Sequence, residues 1–145
     1  MMKLHDIEIR TMTTGDYDGV AALWQAMPNM FSAEDDSRAE IAKYLERNPG
    51  MSFVAIANGR CVGAVLGGHD GRRGYLHHVA VAEEFRRCGI ATKLWQRSVA
   101  ELKKAGIRRA HVFVRLSNKA GLAYWSRAKW THRDDVAVFS HNPSP

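Results

Sequence analysis

The sequence has few cysteines and no long apolar run, which argues against a disulfide-rich protein and against a membrane-spanning one. Its two cysteines, Cys61 and Cys88, do not form a CxxC motif, so reduced thiols are the simplest interpretation. No window approaches the roughly 18 consecutive apolar residues of a membrane-spanning helix, and the N-terminus lacks the apolar region of a secretory signal. We therefore expect a cytoplasmic protein with no membrane partner.

Repeats, low-complexity segments and interdomain linkers are also missing from the 145 residues. Hydrophobic residues make up 46% and charged residues 25%, which is the balance of an ordinary globular protein. A chain of this length can bury one core. The sequence therefore predicts a single domain over residues 1–145.

Acidic residues are scarce in one part of the chain. Between Arg86 and Arg109 there are eight Lys or Arg residues and one acid, Glu101, whereas elsewhere 13 basic residues face 14 acidic ones. The net charge of +6 is therefore concentrated in one turn and the helix predicted after it. A focused charge favours a small polyanion over a long nucleic-acid track, so we expect no nucleic-acid partner.

Hydrophobic periodicity predicts a mixed α/β fold in the order β-α-α-β-β-β-α-β-α-β. Asn58-Gly59, the residue pair of a type I′ turn, joins two β-rich runs into the clearest hairpin. Ser37 and Glu40 form a capping-box pattern at the start of a helix. Strands are expected at 7–12, on both sides of the Asn58-Gly59 turn, and at 75–81, 110–116 and 136–141, and helices at 17–27, 38–47, 118–129 and directly after Gly89.

A basic turn with the sequence EEFRRCGIA, residues 83–91, stands between a predicted strand and a predicted helix. The first N–H groups of a helix have no intrahelical partners, and the helix dipole makes that end electropositive. Gly89 allows a ligand to approach the backbone, and Arg86 and Arg87 add positive charge. The turn is not a Walker A loop, since no G-K-[ST] follows it, and the G-x-G-x-x-G of a dinucleotide fold is absent. It predicts a site for a phosphate-bearing ligand.

The segment VAVAEEFRRCGIATKLW resembles the acyl-CoA signature of the GNAT superfamily of N-acetyltransferases, V-x-x-x-x-[QR]-x-x-G-x-[GA]. Val81, Arg86, Gly89 and Ala91 occupy the matching places. The element order, the hairpin and an N-x-x-x-x-A helix after HVFVRLS also fit, so the resemblance covers nearly the whole chain. It implies a mixed sheet splayed open between the fourth and fifth strands, with acetyl-CoA in the gap.

The resemblance also assigns residues to acetyl-CoA. Strand backbone groups would hold the pantetheine arm, turn amides would cradle the pyrophosphate, and two residues of the last helix would lie near the pantetheine. The strand residues are Val79, Ala80 and Val81. The turn residues are Arg87, Cys88, Gly89, Ile90, Ala91 and Thr92, beside Arg86. The helix residues are Asn118 and Trp125. The family usually has a tyrosine acid at the position of Trp125, whereas this chain has Tyr124 one place earlier.

Acetyl transfer to an amine needs a group that removes a proton, and His77 and His78 are the candidate bases. Consecutive strand residues point to opposite faces, so we expect only one of them to face the amine and no shared metal site to form. Tyr124 is the candidate acid, and a backbone N–H near Val79 or Val81 is the candidate oxyanion donor. A packing role is the alternative for each of the three side chains.

Two acidic clusters lie in regions that border the acceptor site in the family. They are Glu34, Asp35 and Asp36 between the first two helices, and Asp134 and Asp135 near the last strand. Together they favour a cationic acceptor, although each cluster alone also fits a solvated surface.

The sequence therefore predicts an N-acetyltransferase that moves an acetyl group from acetyl-CoA directly to a primary amine of a small cationic molecule or a peptide. One alternative is a non-catalytic module that binds or senses acyl-CoA, because the usual tyrosine is replaced. A nucleic-acid binder is disfavoured by the focused charge. The oligomeric state is left open, a homodimer included.

Overall fold

This computed structural model describes residues 6–144 of the chain. Five strands within them form one sheet. The strand order is β1-β2-β3-β4-β5, antiparallel except for the parallel pair β4–β5. In chain order the elements are β1 (Glu8–Thr11), α1 (Tyr17–Gln25), α2 (Arg38–Arg47), β2 (Phe53–Ala57), β3 (Arg60–His69), β4 (Gly74–Val81), α3 (Ile90–Lys104), β5 (Ala110–Val112) and α4 (Lys119–Arg127). Short 3-10 turns at Thr14–Asp16 and Glu83–Phe85 precede α1 and α3.

The chain divides into two compact units, one up to Phe113 and one from Val114 onward. The first unit holds the sheet and helices α1 to α3, and the second holds α4. A single domain over the whole chain stays a prediction.

The β2–β3 hairpin forms at the turn that the sequence predicts. Asn58 has φ 51° and Gly59 has φ 76°, the left-handed conformations that a type I′ turn requires at both central residues. The paired strands supply much of the core, since Phe53, Val54 and Val65 are almost fully buried.

Helix α3 packs against one face of the sheet through small residues on the strands. A Cβ at Gly63 would lie 3.0 Å from both Ile90 and Leu94, and one at Gly74 would lie 2.8 Å from Leu102. The strands thus need glycine where the helix approaches closely. Helix α3 is 15 residues long. None of the helices in residues 6–144 is long and apolar enough to cross a membrane.

The sheet opens between β4 and β5, as predicted. The two strands pair over only three positions, from Gly74 with Ala110 to Leu76 with Val112. Within the described residues, the rest of β4, residues 77–81, has β3 on one side and no strand on the other. This unpaired edge is the gap that the family resemblance implies.

The strand expected at 136–141 does not form, and that prediction was wrong. Residues in this segment are exposed, with Val136 at 62%, Val138 at 73% and Phe139 at 93% of full accessibility. Alternating apolar residues make a stable strand only when a neighbouring strand accepts the backbone hydrogen bonds and buries one face. The strand expected at 110–116 is also shorter, because regular pairing ends at Val112.

Candidate active site

The gap in the sheet begins at an irregular residue of β4, His78. His77 pairs with Leu66 and Ala80 with Ala64, so two residues of β4 lie opposite one residue of β3. His78 itself has φ 53°, in the left-handed region that a residue other than glycine rarely adopts. Together these features define a β-bulge, a feature that re-aims a side chain where it occurs beside active sites.

The bulge brings both histidines against the helices α1 and α2. The ring centroid of His77 lies 6.3 Å from that of Tyr44 on α2, and the ring of His78 lies 4.8 Å from that of Trp24 on α1. The two helices are themselves joined, since the Arg38 guanidinium lies over the ring of Tyr17. The prediction that the two imidazoles point to opposite faces was therefore wrong, because the extra residue in the bulge interrupts the alternation of the strand.

His78 is hydrogen-bonded to a buried carboxylate. Its Nε2 lies 2.8 Å from Oδ2 of Asp36, and the side chains of His78 and Asp36 are 25% and 7% exposed. The same Oδ2 accepts a hydrogen bond from the backbone N–H of Ser32 at 3.0 Å. The main-chain carbonyl of Asp36 accepts another from the hydroxyl of Tyr17 at 2.6 Å. A carboxylate fixed in this way can hold an imidazole in one orientation.

The acidic cluster before α2 therefore separates into two parts. Asp36 is turned inward onto His78, whereas Glu34 and Asp35 are exposed. Asp36 is therefore engaged with His78 and is not the open acceptor-binding carboxylate that the sequence suggested.

Burial changes the pKa of His77 and that of Tyr44, whose ring lies next to His77. It lowers the pKa of His77 from its usual value, and the neighbouring His78 contributes in the same direction. Burial also raises the pKa of Tyr44 to about 12. At neutral pH, His77 is therefore mainly uncharged and Tyr44 keeps its proton.

A cleft of about 250 Å³ opens next to His77. The rings of Tyr75 and His77 stack in parallel along one wall, with centroids 6.1 Å apart and 2° between the planes. The cleft is lined by Tyr44, Arg47, Asn48, Gly68, His69, Asp70, Tyr75 and His77. Flat rings, with the exposed Asp70 and Arg47 also in the lining, suit a small polar ligand.

The turn before α3 has the geometry expected of an anion site. Gly89 has φ 81° and Arg87 φ 64°, so the backbone reverses sharply before the helix begins at Ile90. The first helical hydrogen bond runs from the N–H of Lys93 to the carbonyl of Gly89. Within residues 6–144, no backbone acceptor is recorded for the amides of residues 89–91, so they fit a pyrophosphate.

Arg86 is bound more closely to the protein than the charge argument implied. Its Nε donates to the carbonyl of Val81 at 3.2 Å, and its terminal nitrogen lies 3.5 Å from the sulfur of Met27. Arg86 therefore connects the end of β4 to the turn while keeping its positive charge beside it.

The remaining predicted site residues belong to the second unit. Asn118 is the N-cap of α4, and its Oδ1 accepts from the N–H of Gly121 at 2.9 Å. The ring of Trp125 makes edge contacts with Tyr124 and Trp130, at 5.2 and 4.9 Å between centroids. The roles of Asn118, Tyr124 and Trp125 toward acetyl-CoA stay predictions.

The second acidic pair is also local in its contacts. Asp135 is paired with Arg133, at 2.9 and 3.0 Å, and Asp134 is exposed. Across the part of the chain that the structure describes, no group of three or more His, Cys, Asp or Glu side chains could hold a metal ion.

Sequence reasoning missed the aromatic residues Trp24, Tyr44 and Tyr75. Trp24 and Tyr44 lie on amphipathic helices, where an aromatic residue is normally assigned to the core. Tyr75 could have been found from the sequence, because residues two apart on a strand share a face and Tyr75 precedes His77 by two.

Comparisons with known proteins agree with this geometry. Residues 17–129 match the family described as the acetyltransferase (GNAT) family. An acetyltransferase from Pectobacterium atrosepticum is 30% identical over 132 residues, covering 91% of this chain and 93% of that protein.

Two solved structures share the fold. An aminoglycoside acetyltransferase from an uncultured soil metagenomic sample, in complex with sisomicin, superposes with a TM-score of 0.77 at 19% identity, covering 97% of this chain and 98% of that one. The PaiA N-acetyltransferase of Thermoplasma acidophilum, in complex with coenzyme A, gives 0.72 at 16% identity, covering 84% and 87%. The open edge of β4 and the free amides before α3 fit acetyl-CoA. The chain therefore belongs to the GNAT family and is an acetyl-CoA-dependent N-acetyltransferase.

Proposed function

We propose that this enzyme transfers the acetyl group directly from acetyl-CoA to a primary amine, with His78 as the general base. The observation that carries the proposal is the position of His78, at the bulge where the edge of β4 becomes free and in contact with a buried carboxylate. A histidine placed beside the gap argues for a catalyst rather than for a module that only binds acyl-CoA.

The reaction would proceed in one transfer step. The amine nitrogen attacks the thioester carbonyl carbon, its proton passes to His78, and the carbon–sulfur bond breaks to release the thiolate of CoA. A thiol has a pKa of about 8.5, so the thiolate is a tolerable leaving group even with weak acid catalysis. A backbone N–H near Val79 or Val81 would stabilise the oxyanion, and Tyr124 remains the proposed proton donor.

The acceptor would enter through the cleft beside His77. Its aromatic wall, formed by Tyr75 and His77, suits a cationic group, and Asp70 at the rim supplies a negative charge, although Arg47 opposes it. The exposed Glu34 and Asp35 would add to this preference. We therefore propose as acceptor a small cationic amine or a peptide amine, and the aminoglycoside enzyme of similar fold is one precedent for the former.

A thiol-release assay with acetyl-CoA tests the proposal across polyamines, aminoglycosides, amino acids and peptides. We expect at least one cationic amine to be acetylated, and His78→Ala to lower kcat by about 10²–10⁴-fold while CoA affinity stays unchanged. His132→Ala, a change at an exposed histidine, is the matched control. Full activity of His78→Ala would exclude His78 as the base.

The acceptor preference needs a separate variant. Glu34→Gln combined with Asp35→Asn should raise KM for a cationic amine and leave KM for acetyl-CoA unchanged, because a group that binds only the ground state of one substrate affects only that KM. An unchanged acceptor KM would assign these two residues to the solvated surface.

A further inference from the structure

We propose that Asp36 is a positioning residue that fixes the ring orientation and the tautomer of His78, so that Nδ1 is the atom that accepts the proton. The proposal rests on the role of His78 proposed above. Asp36 would not touch either substrate and would act only through the imidazole.

The hydrogen bond between the two side chains determines which ring nitrogen is free. An ionised carboxylate only accepts hydrogen bonds, so at 2.8 Å from Oδ2 of Asp36 the Nε2 of His78 must carry a hydrogen. A neutral imidazole has one such hydrogen, which leaves Nδ1 with a lone pair. Among residues 6–144, no group forms a hydrogen bond to Nδ1 of His78. That atom is therefore available to an incoming amine.

Asp36 is itself held in place by its surroundings. Ser32 donates its N–H to Oδ2 of Asp36, and the N–H of Asp36 donates to the carbonyl of Ser32 at 2.8 Å. Tyr17 donates its hydroxyl to the carbonyl of Asp36, and α2 begins one residue later at the N-cap Ser37. A carboxylate built into such a turn keeps its direction without cost at the moment of reaction.

The imidazole is also enclosed on a second side. The ring of Trp24 packs edge-on against it, and the indole N–H holds the main chain of His78. The carboxylate then has two effects. It prevents the tautomer with hydrogen on Nδ1, and its negative charge stabilises the imidazolium that forms when the proton arrives.

A double-mutant cycle in the full-length enzyme tests this inference. Asp36→Asn keeps the size of the side chain and one acceptor oxygen but removes the charge. We expect kcat to fall about tenfold or more with KM for acetyl-CoA unchanged. In the His78→Ala background the same substitution should have no further effect on kcat, because Asp36 acts only through the ring.

Two neighbouring substitutions serve as matched controls. Glu46→Gln changes an exposed acid of α2, the helix that Asp36 precedes, and Ser37→Ala removes the N-cap that accepts from the N–H of Glu40. Both should leave kcat close to that of the unaltered enzyme, although Ser37→Ala should lower thermal stability.

The outcomes separate this inference from the function proposed above. If His78→Ala abolishes turnover and Asp36→Asn does not change it, the positioning role is wrong and the base role stands. Equal losses from Asp36→Asn in both backgrounds would also overturn the positioning role. If Asp36→Asn fails to fold, nitrogen NMR of His78 in the unaltered protein decides. Hydrogen on Nε2 of the neutral ring is expected, and hydrogen on Nδ1 would contradict the inference.

Discussion

The indole N–H of Trp24 donates a hydrogen bond of 3.1 Å to the main-chain carbonyl of His78. Trp24 is fully buried on α1, and the two residues are 54 positions apart in the chain. The bond satisfies a carbonyl at the point where the bulge disturbs the regular strand pairing. It therefore connects the first helix directly to the irregular backbone of the active site.

Trp24→Phe tests this connection. The phenyl ring keeps apolar packing against His78 but leaves the carbonyl without its donor, which typically costs about 1–3 kcal/mol. We expect a corresponding loss of stability in urea unfolding and a kcat reduced about tenfold, with CoA binding retained in calorimetry. Turnover equal to that of the unaltered enzyme would show that the bulge keeps its active conformation without this hydrogen bond.

The left-handed backbone of His78 should be measurable as strain. His78→Ala and His78→Gly both remove the imidazole, but alanine keeps a Cβ at φ 53° whereas glycine tolerates this conformation. We expect the glycine variant to be the more stable by about 1 kcal/mol in chemical denaturation, while both variants lose turnover. Equal stability would mean that the bulge relaxes when the ring is removed.

Gly89→Asp should prevent CoA binding. The substitution places a side chain at φ 81° and adds a negative charge beside the amides that we assign to the pyrophosphate. Gly59→Asp is a matched control, since Gly59 also has positive φ but belongs to the β2–β3 turn. Calorimetry should show loss of CoA affinity only for Gly89→Asp, and unchanged affinity would refute the anion site.

Lys129→Gly should stabilise the second unit. Lys129 has φ 68° and follows the last residues of α4, where Lys129 donates its N–H to Ser126 and Trp130 donates to Trp125. This is the hydrogen-bond pattern of a Schellman motif, in which glycine is the favoured residue. We expect a gain of about 1 kcal/mol in unfolding free energy, and no comparable gain from the control Lys129→Ala.

Features that depend on residues close together in the chain could be predicted from the sequence. Helix α2 spans Arg38–Arg47, the predicted range, because Ser37 caps it and the apolar spacing continues through it. The Asn58-Gly59 turn forms because few other residue pairs adopt two consecutive left-handed conformations. The turn before α3 was also predictable, since its charge and its glycine lie within a few residues of each other.

The arrangement of the proposed catalytic groups depends on contacts between distant parts of the chain and could not be predicted in the same way. The partner of His78 is Asp36, 42 residues away, and the bulge that brings His78 to it breaks the alternation on which strand reasoning depends. The predicted last strand failed for a related reason, because a strand requires a partner that its own sequence does not specify. Periodicity records which residues are buried within one element, whereas bulges, buried hydrogen bonds and strand edges depend on how distant elements meet.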